Sequence, residues 1–102
     1  MTTPEILAGD IVLSCRGRDA GRIFLVLSAG PEGLLLSDGR MRRAERPKRK
    51  KAKHVQRIPV LVPEDKLFIK LRTGEKLSNR EVRKILDAAV EAEGVGGTQT
   101  NV

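Results

Sequence analysis

Apolar residues in the first half of the chain come in short runs that are separated by turn-forming residues. The runs are Ile11–Ser14, Ile23–Leu27 and Leu34–Ser37. Their shortness and their β-branched and aromatic content favour strands over helices. The glycines of segment 17–22 predict a tight turn before the second run, and Ala29–Gly33 predicts a loop after it.

Turn chemistry predicts how this half of the chain ends. Asp38-Gly39 is typical of a type I′ hairpin, because glycine accepts the positive φ that this turn requires. We therefore expect Arg40–Ala44 to return as a strand. The segment Arg46–Lys53 carries too much charge to pack, and Lys53–Ile58 is expected to close the sheet. About five strands spaced by 8–12 residues favour a small barrel.

Beyond residue 58 the pattern changes from strands to helices. Two prolines in 59–63 predict an extended linker, and an apolar stripe within 64–74 predicts a first helix. The segment 78–81, Ser-Asn-Arg-Glu, is a capping box, and the apolar repeat that follows predicts a second helix ending at Gly94. The apolar positions of this second helix are Val82, Ile85, Leu86, Ala89 and Val90.

These patterns divide the chain into four parts. We expect a barrel with a basic loop over 1–58, a linker over 59–63, a helical appendage over 64–94 and a disordered tail over 95–102. No stretch approaches the roughly 20 apolar residues of a membrane span. The first nine residues lack the basic and apolar regions of a signal peptide. A cytoplasmic protein without a membrane partner is therefore expected.

The positive charge of the chain is concentrated in its first part. The formal net charge is +7. Residues 1–57 hold 13 Lys and Arg against 6 Asp and Glu, whereas residues 58–102 hold 7 of each kind. Like charges at this density repel one another, and a polyanion relieves that repulsion. A binding surface for a polyanion is therefore expected in the first part.

Aromatic residues are nearly absent, which limits the kinds of recognition available. Phe24 and Phe68 are the only aromatics, and both are expected in the core. Readers of single-stranded nucleic acid stack bases on aromatic side chains, and grooves for proline-rich peptides also need exposed aromatics. Recognition through charge and shape remains, with arginine planes as the only stacking surface.

Catalysis and metal binding find little support in the sequence. Cys15 is the only cysteine, so an intramolecular disulfide and a Cys-rich zinc site are excluded, and it is expected to be a partly buried strand residue. His54 is the only histidine and is expected at a strand edge. No nucleophile or carboxylate constellation surrounds it in sequence. We therefore expect no enzymatic activity, no metal and no cofactor.

The glycine turn and its flanking strands resemble a known motif. Gly9-Asp10-Ile11-Val12, the glycines of segment 17–22 and Ile23–Leu27 resemble the KOW motif. That resemblance implies a small SH3-like barrel. KOW turns often carry a basic residue where this chain has Ala20, so Arg18 and Arg22 are expected to supply the charge.

A second stretch makes the resemblance more specific. The run SDGRMRRAERPKRKKAKHVQ resembles the continuation seen in ribosomal proteins of the fourteen-e and twenty-seven-e kind. It is still more similar to the short bacterial KOW-domain RNA-binding proteins related to them, which also carry C-terminal helices. The resemblance covers roughly residues 8–57 and implies an RNA-binding protein of a ribonucleoprotein particle.

We therefore expect a non-enzymatic, ribosomal-protein-like RNA-binding protein that contacts the phosphates of structured RNA such as ribosomal RNA. The candidate RNA-binding residues are Arg16, Arg18, Arg22, Arg40, Arg42, Arg43, Lys48, Arg49, Lys50, Lys51, Lys53 and His54. The alternative is a protein-interaction adaptor in transcription or ribosome assembly, with ribosomal or transcription proteins as partners. A third hypothesis is non-specific DNA binding.

Overall fold

The computed structural model describes residues 6–58, 70, 73 and 75–93 of the chain, with helix side chains described up to Ala89. The predicted linker over 59–63 and the predicted tail over 95–102 lie outside these residues. So do Phe68 and nearly all of the first predicted helix.

Among the described residues, five antiparallel strands form a single sheet, and the first three lie in the predicted apolar runs. The strands are β1 (Ile11–Ser14), β2 (Ile23–Gly30), β3 (Gly33–Ser37), β4 (Lys48–Lys50) and β5 (Val55–Ile58). Their order across the sheet is β4-β3-β2-β1-β5, so the first strand pairs with both the second and the last. A single 3-10 turn, Ala52–His54, precedes β5. The strands predicted in the three apolar runs and at the closing segment are confirmed.

Both faces of the sheet are buried, which explains why β2 begins as a nearly continuous apolar run. Neighbouring residues of a strand point to opposite faces. Phe24 and Val26, both fully buried, therefore join one apolar cluster, while Leu25 joins the other. The first cluster consists of Val12, Phe24, Val26, Leu34 and Leu36. The second cluster faces the helix.

The helix α1, Asn79–Glu93, covers the second face of the sheet. Its start is a capping box: the Glu81 amide donates to Ser78 Oγ at 3.1 Å, and the Ser78 amide donates to Glu81 Oε1 at 2.9 Å. The predicted capping box and second helix are thus confirmed. The side chains that α1 and the residues before it bury are Leu77, Val82, Ile85, Leu86 and Ala89. In the part of the chain that the structure describes, no helix has the length and apolar character needed to cross a membrane.

The sheet is strongly curled. A contact between two strands that are not neighbours in the sheet shows this. Adjacent strands lie about 4.8 Å apart, so β4 and β1 would be roughly 14 Å apart in a flat sheet of this order. Lys50 Nζ on β4 nevertheless lies 2.8 Å from Ser14 Oγ at the end of β1. A register shift between Val26 and Ser28 places an extra residue in β2, and such bulges bend a strand. The curl gives the sheet a barrel-like shape.

Two predictions about the basic segment are wrong. Arg40–Ala44 does not return as a strand, and the charged run after Arg46 does pack, since it contains β4. Residues 38–47 instead form a longer connection between β3 and β4. Asp38 shapes this connection, because its Oδ1 accepts the amides of Arg40 at 2.9 Å and Arg42 at 2.8 Å. These bonds replace the strand pairing that the Asp-Gly pair suggested.

The 38–47 connection is docked on the start of α1. The Ala44 amide donates to Asn79 Oδ1 at 2.7 Å, and Arg83 Nη1 donates to the Gly39 carbonyl at 2.8 Å. Gly39 has a φ of +72°, and a Cβ built there would lie 2.5 Å from the Asn79 carbonyl oxygen. Only glycine therefore fits the place where the connection meets the helix.

Gly39→Ala is expected to destabilise the protein more than Gly21→Ala. Gly21 also has a positive φ, of +91°, but its added Cβ would meet nothing within 4 Å. Gly21→Ala should thus lose about 1–2 kcal/mol through backbone strain alone. Gly39→Ala should lose at least about 1 kcal/mol more, because the helix must move. Urea unfolding of both variants measures the difference, and equal losses would contradict this packing.

Candidate nucleic-acid interface

A buried ion pair joins the basic segment to the turn between β1 and β2. Lys50 and Asp19 are each 8% exposed, and Lys50 Nζ lies 2.7 Å from Asp19 Oδ1. The same ammonium donates to Ser14 Oγ at 2.8 Å and to the Arg16 carbonyl at 2.6 Å. Its three protons therefore all have acceptors, which a buried ammonium requires.

Asp19 receives further support on its other side. Lys48 Nζ lies 2.9 Å from Asp19 Oδ2, and the Ser14 hydroxyl donates to Asp19 Oδ1 at 2.9 Å. Burial alone would raise the pKa of the Asp19 carboxyl. The hydrogen bonds from Lys50, Lys48 and Ser14 outweigh burial and hold that pKa well below its usual range. Asp19 is thus ionised at neutral pH.

This network changes which cations can meet a ligand. The sequence predicts that Lys48 and Lys50 bind RNA. Side chains alternate in direction along β4, however, and both lysines point toward Asp19. The Lys50 side chain is 7% exposed and that of Lys48 is 24% exposed. Arg49, between them, points outward and pairs with Glu32 at 2.9 Å. The accessible surface therefore lacks Lys50 and has little of Lys48.

Four candidate residues lie together around the end of the 3-10 turn. Arg16, Lys51 and Lys53 are exposed, and their charges act on the half-buried imidazole of His54. The backbone sets this arrangement, since the Cys15 amide donates to the His54 carbonyl at 2.9 Å. Among the residues that the structure describes, none of these three cations is paired with an acid. We call Arg16, Lys51, Lys53 and His54 the cationic cluster.

The remaining arginines surround other parts of the barrel-like domain. Arg40, Arg42 and Arg43 are exposed on the 38–47 connection, and Arg43 pairs with Glu45 at 2.9 Å. Arg18 and Arg22 are exposed in the turn between β1 and β2. Arg22 and Arg40 line a common groove with α1. The structure thus distributes the predicted residues over several parts of the domain and brings Arg22 and Arg40 together at one groove.

Sequence reasoning missed Asp19 and misplaced Cys15. Asp19 looked like an ordinary turn residue, and its partner Lys50 is 31 positions away along the chain. No local signal marks Lys50 as buried, because all three residues of β4 are basic. Cys15 is exposed one residue beyond β1, so the prediction that it is partly buried is wrong.

No protein-family model matches this chain, and a search of curated proteins finds no match either. Nor do the described residues bring three or more His, Cys, Asp or Glu side chains together in a way that could hold a metal ion. The function therefore has to be inferred from the geometry of the charged residues.

Asp19→Asn is expected to destabilise the protein by about 3–5 kcal/mol, because it leaves a buried ammonium without a counter-charge. The double variant Asp19→Asn/Lys50→Met should recover most of this loss, since the deeply buried ammonium is then removed and only the more exposed Lys48 loses its partner. Glu32→Gln removes an exposed pair and should cost less than about 1 kcal/mol. Urea unfolding tests the series. A double variant as unstable as Asp19→Asn would contradict the pairing.

The same ion pair predicts an acid sensitivity. Because the pKa of Asp19 is lowered in the folded state, its stabilisation is complete above its ordinary value of 3.8 and declines as the pH falls below it. The Asp19→Asn/Lys50→Met variant should lose less stability between pH 5 and pH 2 than the native chain. Identical acid profiles would contradict this expectation.

Proposed function

We propose that this chain is a non-enzymatic, cytoplasmic RNA-binding protein that contacts the phosphate backbone of structured RNA, as ribosomal proteins do. The observation that carries the proposal is the cationic cluster. The charges of three exposed cationic side chains act on one imidazole, and none of these cations has an acidic partner among the described residues. A phosphate would neutralise this repulsion and release counterions.

The shape of the sheet supports an SH3-like barrel of the KOW kind. Its first strand pairs with the second and the last, a 3-10 turn precedes the last strand, and the sheet curls until β4 reaches β1. Gly17 and Gly21, which carry the resemblance to the KOW turn, both have positive φ values. The cationic cluster would then lie where this turn meets the last strand.

Rigidity supports the proposal as well. Arg16 and Lys51 flank the Lys50–Asp19 pair along the chain, and the Arg16 carbonyl is itself bonded to Lys50. The backbone that carries the cluster is thus held by the buried network before any ligand arrives. A surface that is preorganised in this way loses less conformational entropy on binding.

Charge reversal at the cationic cluster should abolish most RNA binding. The triple variant Arg16→Glu, Lys51→Glu, Lys53→Glu removes three phosphate contacts without touching the buried network. Affinity for a folded RNA should fall more than tenfold, and the slope of log K against log salt should decrease by about 1 for each lost contact. Filter binding at several salt concentrations measures both quantities, and circular dichroism checks the fold.

The matched control reverses three exposed cations in or near α1, namely Lys76, Arg80 and Lys84. It changes the net charge by the same amount and should leave RNA affinity within a few-fold of the native chain. Equal losses of RNA affinity in both triple variants would mean that net charge alone drives binding.

The native chain itself distinguishes the other hypotheses. No measurable RNA affinity at physiological salt would favour the protein-interaction adaptor, and stronger binding to duplex DNA than to RNA would favour non-specific DNA binding.

RNA affinity is expected to rise as the pH falls. Partial burial and the positive charges of Arg16, Lys53, Lys50 and Lys51 lower the pKa of His54 in the free protein. A bound phosphate opposes these charges and raises that pKa, so binding takes up a proton. Affinity should therefore increase as the pH drops below the higher pKa of the complex and level off below the pKa of the free protein.

His54→Asn tests this linkage, because His54 is the only histidine in the chain. The variant should show a flat affinity profile between pH 5 and pH 8. NMR titration of the native imidazole with and without RNA should give the higher pKa in the complex. A variant with the native pH profile would exclude His54 as the group that titrates.

A further inference from the structure

A second surface of the chain has chemistry unlike that of the cationic cluster. A groove of about 430 Å³ opens between the β1–β2 turn, the 38–47 connection and α1. This volume falls within the range of about 300–1,000 Å³ that is typical of pockets for small molecules. Its walls combine apolar side chains, arginines and carboxylates. The groove is therefore large enough for one small molecular group of mixed polar and apolar character.

Met41 makes the groove attractive to an aromatic ring. Its side chain is 71% exposed, although most large apolar side chains of the described residues are buried. Ile23 and Leu86 add apolar surface to the same groove. A thioether is polarisable and makes favourable contacts with aromatic rings. An exposed methionine beside apolar walls thus offers a surface for an aromatic ring in the part of the chain that the structure describes, where the one aromatic side chain, Phe24, is fully buried.

Arg83 supplies a fixed plane next to Met41. Its Nη1 donates to the Gly39 carbonyl at 2.8 Å, which restrains the guanidinium, and the side chain is only partly exposed. Planar guanidinium groups stack on nucleobases. Arg22 and Arg40 lie on the same groove, are exposed and have no acidic partner among the described residues. They are positioned to meet the phosphates on either side of a base.

Two carboxylates decide which part of a nucleotide can enter. Asp38 and Asp87 also line the groove, and their charge disfavours a phosphate inside it. A nucleobase is neutral and carries N–H groups that a carboxylate can accept. Asp38 Oδ1 already accepts two backbone amides, which leaves Asp87 as the more available acceptor.

We propose that this groove is a subsite for one unpaired nucleobase of the bound RNA, stacked between Met41 and Arg83. The proposal rests on the proposed function, since the cationic cluster would bind phosphates elsewhere on the same RNA. A base within a duplex is already stacked and cannot enter, so the groove selects RNA that has a bulged or looped nucleotide near a helix. No aromatic side chain is exposed among the described residues, and the subsite gives this part of the chain a means of sensing unpaired bases.

Methyl-labelled methionine provides the direct test. The chain contains two methionines, Met1 and Met41, so a sample labelled with ¹³C in the methyl groups gives one signal at the site and one internal reference. A hairpin RNA with one bulged nucleotide should move the Met41 signal upfield through the ring current of the stacked base. The same hairpin without the bulge should leave it nearly unchanged.

A substitution adds the energetic test. Met41→Ala should weaken binding to the bulged hairpin by about two- to tenfold and leave binding to the plain hairpin unaltered. Leu7→Ala is the matched control, because Leu7 is the other exposed large apolar residue among those that the structure describes, at 55%, and lies outside this groove. It should preserve the native preference for the bulged RNA.

The outcomes separate this inference from the proposed function. If neither hairpin binds, the proposed function itself fails. If both hairpins bind equally well, and the Met41 signal stays still or moves equally with both, RNA binding stands and the base subsite is overturned. A Met41→Ala variant that keeps the native preference for the bulged RNA would overturn the subsite as well.

Discussion

The buried pair of Lys50 and Asp19 is the contact on which the shape of this domain depends. β4 is a strand of only three residues, all basic, and nothing in its composition favours the interior. It can pack because the Lys50 ammonium donates hydrogen bonds to the ionised carboxylate of Asp19 and to two further acceptors, Ser14 Oγ and the Arg16 carbonyl. Burying two charges costs solvation, and only complete pairing offsets that cost. The same contact draws β4 toward the end of β1 and thereby curls the sheet.

The apolar half of this architecture could be predicted from the sequence. Short apolar runs between turn residues predicted β1, β2 and β3, because their side chains alternate between two buried faces and local pattern decides the structure. The capping box at Ser78 and the helical repeat that follows predicted α1 for the same reason. Each of these signals lies within a few consecutive residues.

The charged half could not be predicted in the same way. Ten Lys and Arg from Arg40 to Arg57 suggested a basic loop that is too charged to pack, since charge density is a property of composition. Which lysine is buried depends on Asp19, whose position beside β4 follows from the complete fold. The Asp38-Gly39 pair suggested a short hairpin, but α1 offers Asn79 as a competing partner to the connection. Long-range contacts therefore overrode the local signal at the residues nearest to the candidate site.

The division between inward and outward charges also explains how one short segment can serve two purposes. Alternation along β4 sends Lys48 and Lys50 inward to hold the turn, while Lys51 and Lys53, beyond the strand, stay in solvent. The cations that fix the backbone are thus different from those that remain free for a polyanion. A ligand that binds Lys51 and Lys53 consequently meets a backbone that is already fixed, and it does not compete with Asp19 for the charges that hold the fold together. Affinity and stability can therefore be changed separately in this domain, although both depend on the same run of basic residues.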